Sequence, residues 1–210
     1  ASFTDPGIFD THPAWIDWGD GAATEATVSE TNGSGTATGT HTYTTPGVYR
    51  VMMVVYDNYD AASNESIYEY VVVYDPEAGF VTGGGWIDTP VGAYTADPAL
   101  EEKAKFEFAV RFKRGKKVQM DGDLLFQFDQ TPFILSSTRI DWLVIDQAAM
   151  TAQFKGQGML NGSGNYHFWV WVTDGEIDTF RIKIWEEDGD LLYDTFIELP
   201  LGGGSIILHD

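Results

Sequence analysis

The side chains of this 210-residue chain that could do chemistry are mostly carboxylates and tryptophans. Its 32 Asp and Glu outnumber 12 Lys and Arg, with four His and no Cys, for a formal net charge of -20. Catalysis needs a nucleophile with a base, paired carboxylates in a cleft, or a bound metal. The histidines His12, His41, His167 and His209 form no H-E-x-x-H motif or other close pair. The missing cysteines exclude thiolate sites, cysteine nucleophiles and disulfides. Nothing positive favours an enzyme, and a non-catalytic protein is expected.

Carboxylate-rich loops suit hard cations, because calcium collects roughly six to eight oxygen ligands. Asp5, Asp10, Asp17 and Asp20 gather early in the chain, and Asp57, Asn58 and Asp60 follow a strand-like stretch. Later come Asp121 with Asp123, then Asp174, Glu176 and Asp178, then Glu186, Glu187, Asp188 and Asp190. None has EF-hand spacing, and each group has a competing role as solvated or turn-bonding carboxylates. Calcium is the one cofactor the sequence suggests.

The tryptophans suggest a different ligand. In Tyr166-His167-Phe168-Trp169-Val170-Trp171-Val172, alternation puts Tyr166, Phe168, Val170 and Val172 on one strand face and His167, Trp169 and Trp171 on the other. With the first face inward, two tryptophans stand on the outer surface, where sugar rings can stack. The competing role for that face is packing under a loop or another domain. The turn Lys113-Arg114-Gly115-Lys116-Lys117 holds four of the twelve positive residues. It reads as a solvated hairpin tip, with contact to an acidic neighbour as the alternative.

The elements that carry these residues are strands. Lys105 to Phe112 alternates Phe106, Phe108, Val110 and Phe112 against charged residues, and Leu124–Phe128, Phe133–Leu135, Asp141–Ile145, Ala149–Gly156, Phe180–Trp185 and Ile206–Leu208 follow. Asp121-Gly122, Asn161-Gly162 and Asp188-Gly189 are hairpin signals. Asp97-Pro98 is placed to start one helical turn. Thr82-Gly83-Gly84-Gly85-Trp86-Ile87 lacks the G-K-[ST] ending of a phosphate loop, so close backbone approach beside Trp86 is expected.

In the first part, Trp15-Ile16-Asp17 reads as a strand running into Trp18-Gly19-Asp20-Gly21, with Asp17 and Asp20 bonding the turn. Asn32-Gly33 turns between threonine-rich strands, the second reaching Thr45. In His41 to Asp57, Pro46 and Gly47 form a corner with Gly47 at positive φ, and Tyr43 reaches back to the backbone. A strand follows, with Tyr49, Val51, Met53 and Val55 inward. That leaves Met52, Val54 and Tyr56 outward beside Tyr70, Val72 and Tyr74, an apolar patch expected to pack on the second domain.

Trp18-Gly19-Asp20-Gly21, His41-x-Tyr43, Pro46-Gly47-x-Tyr49-x-Val51 and Val55-Tyr56-Asp57 resemble the PKD family, named for polycystic kidney disease protein repeats. The resemblance covers residues 1 to about 77 and implies an immunoglobulin-like sandwich. Ile16 stands where the family has tryptophan, and Ala1 to Gly7 resembles the family's second strand. The resemblance thus implies a missing first strand, through a late boundary or a split domain completed by a strand-donating peptide along Ile67–Tyr74. Thr82 to Ile87, Ala152-x-Phe154-Lys155-Gly156-x-Gly158, Asp178-x-Phe180-Arg181-Ile182-Lys183-Ile184-Trp185 and Gly202-Gly203-Gly204-Ser205-Ile206 resemble a β-rich domain that follows PKD repeats in secreted bacterial proteins.

The expected fold is all-β, with two tandem β-sandwich domains at residues 1–77 and 78–210, the second sandwich or jelly-roll-like. Arg50 is the sole Lys or Arg before Lys103, and phosphate binding draws on clustered cations, so nucleic acid is excluded as a partner. No apolar run reaches the roughly 18 residues of a membrane span. The chain starts at Ala1 without methionine and reads as a processed or excised product. The expected role is a bacterial or archaeal extracellular spacer, adhesion or presentation module, partnered by other domains of its parent protein. The alternatives are a carbohydrate-binding module of a secreted hydrolase, with a glycan on Trp169 and Trp171, and the split domain.

Overall fold

A computed structural model describes residues 1–7, 9–57, 66–113 and 119–210, with Glu69 and Tyr70 described through their backbone alone. Among these residues every regular element is a strand, and no helix is long and apolar enough to cross a membrane. The fold is all-β, and the chain divides into two compact units, Ala1–Val73 and Tyr74–Asp210.

The first unit has strands β1 (Ser2–Thr4), β2 (Ala14–Asp17), β3 (Ala23–Glu25), β4 (Thr27–Thr31), β5 (Ser34–Thr38), β6 (Gly47–Val55) and β7 (Ser66–Val73). They form two antiparallel sheets, β1-β5-β4 and β3-β2-β6-β7. Alternation on β2 buries Ala14 and Ile16 and shows Trp15 and Asp17 to solvent. Ala14 and Ile16 join Trp18, Ala26, Ala37 and Val55 in a small core, with Val51, Met53 and Tyr43 at its margin.

The corner before β6 forms as its residues suggest. Tyr43 donates its hydroxyl to the Trp18 carbonyl at 2.8 Å, and Tyr49 donates to the Thr45 carbonyl at 2.8 Å. Gly47 does not take the expected positive φ. It is small because the Tyr49 ring lies against it, where a Cβ would collide. Strand β5 stops at Thr38 instead of Thr45. Asn32 and Gly33, at φ 53° and 73°, make the expected turn. Met52, Val54, Tyr56 and Val72 are half-buried and Tyr74 is exposed. The side chain of Tyr70 lies outside the described residues, as do Asn58 and Asp60.

The second unit continues with β8 (Phe80–Asp88), β9 (Lys103–Lys113), β10 (Gln119–Phe128), β11 (Ile134–Asp146), β12 (Thr151–Leu160), β13 (Ser163–Thr173), β14 (Thr179–Glu186), β15 (Leu191–Asp194), β16 (Leu199–Pro200) and β17 (Gly203–His209). One antiparallel sheet runs β15-β14-β13-β12-β11-β10-β9-β8-β17, with β16 beside β14. Phe106 of β9 stacks on Phe180 of β14 at 3.9 Å, although four strands separate them in the sheet. The sheet therefore folds over on itself around one core. Phe106, Phe108, Phe126, Phe154, Phe168 and Phe180 line that core, all at most 5% exposed.

Two stretches expected as separate strands, 133–135 and 141–145, fall largely within the single strand β11, whose register slips twice. Such irregularities bend a strand. Asp121-Gly122 is not a hairpin turn: Gly122 sits inside β10 at φ 141°, where a Cβ would strike the Ala109 carbonyl. The β9–β10 connection, which holds most of the basic turn, lies outside the described residues. Asn161-Gly162, at φ 50° and 76°, and Gly189, at φ 98°, do turn hairpins. Asp97 caps a single turn through the Ala99 N–H, but the turn does not become helix.

Candidate functional site

A folded sheet with one inward face leaves its outer surface in two regions, one on β8, β9, β10 and β17 and one on β11 to β14. Register places the outward residues of the first region in rows. Gly203, Trp86, Lys105 and Gln127 form one row; Ser205, Gly84, Glu107, Leu125 and Ser136 form the next; Ile207, Thr82, Ala109 and Asp123 form a third. Adjoining hollows of about 600 Å³ and 430 Å³ share Glu107 and Leu125 along these rows. With strands about 4.8 Å apart, the middle row spans roughly 19 Å.

Glycines make this trough. A Cβ at Gly85 or Gly204 would run into the facing backbone of the β8–β17 pair, and one at Gly83 would strike the Phe108 ring. The Gly triplet thus permits the close approach expected of it. Gly84 faces the other way: its Cβ would meet nothing closer than the Phe106 carbonyl at 3.8 Å. Trp86 rises at one end of the trough. Gly202 and Gly203 leave room for its indole, which a Cβ at either would hit, and the Lys103 ammonium sits 3.7 Å from the ring centroid.

Lys103 lies on the Trp86 ring, and two other cations near the trough have carboxylate partners. Lys105 pairs with Asp129, and Arg111 pairs with Asp121 at 2.7 Å. Each cation holds its partner's carboxyl below the ordinary carboxylate value. Glu107 and Asp123 form no ion pair among the described residues and remain as acceptors, with the Gln127 amide and the Ser136 hydroxyl beside them. The trough therefore offers hydrogen-bonding groups over a floor of Gly84, Ala109 and Leu125.

The second region holds His167, Trp169 and Trp171. They share the outer face of β13 while Phe168, Val170 and Val172 are buried beneath, as alternation requires. Trp169 and Trp171 stack on each other at 4.5 Å and 18°. Two rings at alternate positions of one strand can stack so only by standing up from the sheet, so each spends a face on the other. Trp169 is only 7% exposed, meets Trp142 edge-on at 5.3 Å and donates its indole N–H to Gln153 at 3.2 Å. Arg181 covers Trp171 at 4.5 Å and pairs with the buried Asp194 at 3.3 Å. His167 stacks on Trp185 at 5.6 Å.

The carboxylates considered for calcium mostly hold backbone. Asp5 accepts from the Gly7 N–H, Asp17 from Gly19 at 2.9 Å and Asp20 from Ala22 at 3.0 Å. Asp188 accepts from Asp190 at 3.3 Å, and the Asp190 carbonyl accepts from Glu186. The Asp10 N–H donates to the Gly7 carbonyl. Asp174 and Asp178 accept from the Leu208 and Ile206 N–H groups, both at 2.8 Å, and so cap the open edge of β17. Asp57 has one buried oxygen without a hydrogen-bond partner. Among the described residues no three such groups converge as a metal site.

In the first unit His12, 4% exposed, lies between carboxylates. Its Nδ1 is 2.6 Å from Glu30 and its Nε2 is 3.8 Å from Asp5. The Glu30 hydrogen bond raises its pKa above the ordinary 6.5, against the opposing effect of burial. Asp20 and His41 pair at 2.7 Å, and the Asp20 carboxyl is lowered by that bond.

These two outer faces belong to one folded antiparallel sheet of an all-β protein. Comparison with family models, curated proteins and solved structures finds no match in any of the three. The trough residues Glu107 and Gln127 escaped the sequence reading, and Asp123 entered it only as a calcium candidate beside Asp121. They share only outward alternation with dozens of ordinary surface residues, and their grouping depends on register between strands.

Proposed function

We propose that this chain is a non-catalytic module of a secreted or surface protein, bacterial or archaeal, that holds a neutral polysaccharide in the trough across β8, β9 and β10. The observation that carries this reading is the trough itself: a floor of Gly84 and Ala109, a Trp86 wall, and Glu107, Asp123 and Gln127 as hydrogen-bonding groups. Carboxylates and amides match sugar hydroxyls, and two carboxylates without ion-pair partners disfavour an anionic chain. The PKD-like resemblance of the first unit agrees with an extracellular role in adhesion or presentation.

The test is a neutral glycan array probed with the full chain and with Gly84→Leu, which fills the trough from a position with open space above it. Binding by the wild type and at least a tenfold loss in the variant at unchanged melting temperature are expected. No binding to any neutral glycan, or equal binding by the variant, overturns the reading.

A second reading rests on β7. It pairs with β6 alone among the described residues, and Ile67 and Tyr68 on it are 39% and 67% exposed. Such an edge suits a strand donated by another chain. Binding of extended peptides that protects β7 amides from hydrogen exchange is its expected signature, and unchanged exchange opposes it.

A further inference from the structure

We infer that the first unit holds a zinc-class divalent cation between His12 and Asp5, independently of the trough. His12 stands just before β2 and is 4% exposed, yet its Nε2 has no hydrogen-bond partner. Glu30 of β4 clamps the rest of the residue, accepting from the His12 backbone N–H at 3.2 Å and bonding Nδ1 at 2.6 Å. A carboxylate on one ring nitrogen fixes the tautomer and leaves the other nitrogen to act as a metal ligand.

Asp5 faces that free nitrogen. Its Oδ1 accepts from the Gly7 N–H, and its Oδ2 lies 3.8 Å from His12 Nε2. This gap is too wide for a hydrogen bond. It suits a shared ion, since two ligand atoms each about 2.1 Å from zinc stand up to about 4.2 Å apart. Tyr56 donates its N–H to the Pro13 carbonyl at 2.8 Å, which continues the β2–β6 register and brings Asp57 opposite His12. One Asp57 oxygen is likewise buried without a partner.

Three carboxylates thus surround one imidazole, and among the described residues none of them pairs with Lys or Arg. A divalent cation offsets that charge and takes the place of the second proton on Nε2. Imidazole suits zinc, copper or nickel, whereas calcium collects oxygens. No third side chain converges as a ligand among the described residues, so water completes the shell and Asp57 contributes charge. The Asp5 and Glu30 side chains stay 25% and 22% exposed, which leaves the ion a way in.

The experiment titrates the full, untagged chain with zinc chloride and with calcium chloride by calorimetry, alongside nitrogen NMR of the histidine rings. One zinc ion per chain, a raised melting temperature and a shift of the His12 Nε2 signal are expected, with calcium at least about tenfold weaker. Asp5→Asn, which keeps an acceptor for the Gly7 N–H, abolishes zinc binding, as does His12→Gln. Glu30→Gln weakens it about tenfold or more, and Asp17→Asn leaves it unchanged. Melting curves without zinc identify any variant that fails to fold, and in that case the wild-type His12 signal decides alone. The inference is overturned if zinc does not bind at millimolar concentration, if calcium binds as tightly, if the His12 signal stays still, or if folded Asp5→Asn binds normally. Zinc is a probe unrelated to the glycans of the trough experiment, so either reading can fail alone.

Discussion

The two outer faces of the second unit belong to one sheet and obey one alternation, yet they treat their side chains in opposite ways. On β11 to β14 large rings and long cations lean on one another: Trp142 on Trp169, Trp169 on Trp171, Arg181 on Trp171. On β8 to β10 the outward rows include the small residues Gly84, Thr82 and Ala109, and the surface stays open above them. Inward residues set how a sheet folds; the bulk of outward residues sets whether there is room for a ligand. Aromatic residues on a sheet surface are thus no guide to an open site when they stack on each other.

Four substitutions sharpen this contrast, starting with the largest effect. Phe180→Ala removes a fully buried ring from the core beneath both faces and should cost about 3–5 kcal/mol. Denaturant unfolding of the second unit reports this, and a cost under about 1 kcal/mol would mean the faces do not share one core. Trp169→Ala comes next, at about 2–4 kcal/mol, because the ring is buried and stacked. A change within experimental error would identify it instead as a free platform for ligand.

The glycines divide in the same way. Gly85→Ala should cost about 1–3 kcal/mol, since its Cβ would strike the Gly203 carbonyl. Gly84→Leu on the open side should shift stability by less than about 1 kcal/mol while blocking the trough. Equal melting temperatures for the two variants would erase the distinction between floor and clasp.

The smallest effect extends the comparison to the first unit. The folded-state pKa of His12 lies above 6.5, so its protonated form is favoured in the fold. Its stabilising contribution is complete below that ordinary value and is lost as pH rises through the folded value. Melting of the first unit should fall across this window, and His12→Gln should flatten the slope. A slope that persists in the variant would assign it to other groups.

Much of the fold is legible in the residues because alternation is local. Phe106, Phe108 and Val110, or Phe168, Val170 and Val172, announce their inward face without reference to any partner. The turn chemistry of Asn161-Gly162 and the Tyr43 hydroxyl bond are local for the same reason. What the residues do not disclose is adjacency. β17 pairs with β8 from the far end of the chain, and that pairing explains why Gly85 and Gly204 must be glycine. Asp174 and Asp178 read equally well as calcium ligands until β17 is placed beside them. The face of Trp169 was legible, while the stacking that closes it depends on rotamers and on Trp142 from another strand.

The seven tryptophans provide the most direct test of the account. Trp86 reports on the trough, and Trp142, Trp169, Trp171 and Trp185 report on the other face. In an NMR titration of the indole N–H signals with a neutral glycan selected on the array, the Trp86 signal should move and those of Trp169 and Trp171 should stay. Movement of the Trp169 and Trp171 signals with Trp86 unchanged would contradict the assignment of the trough as the binding face.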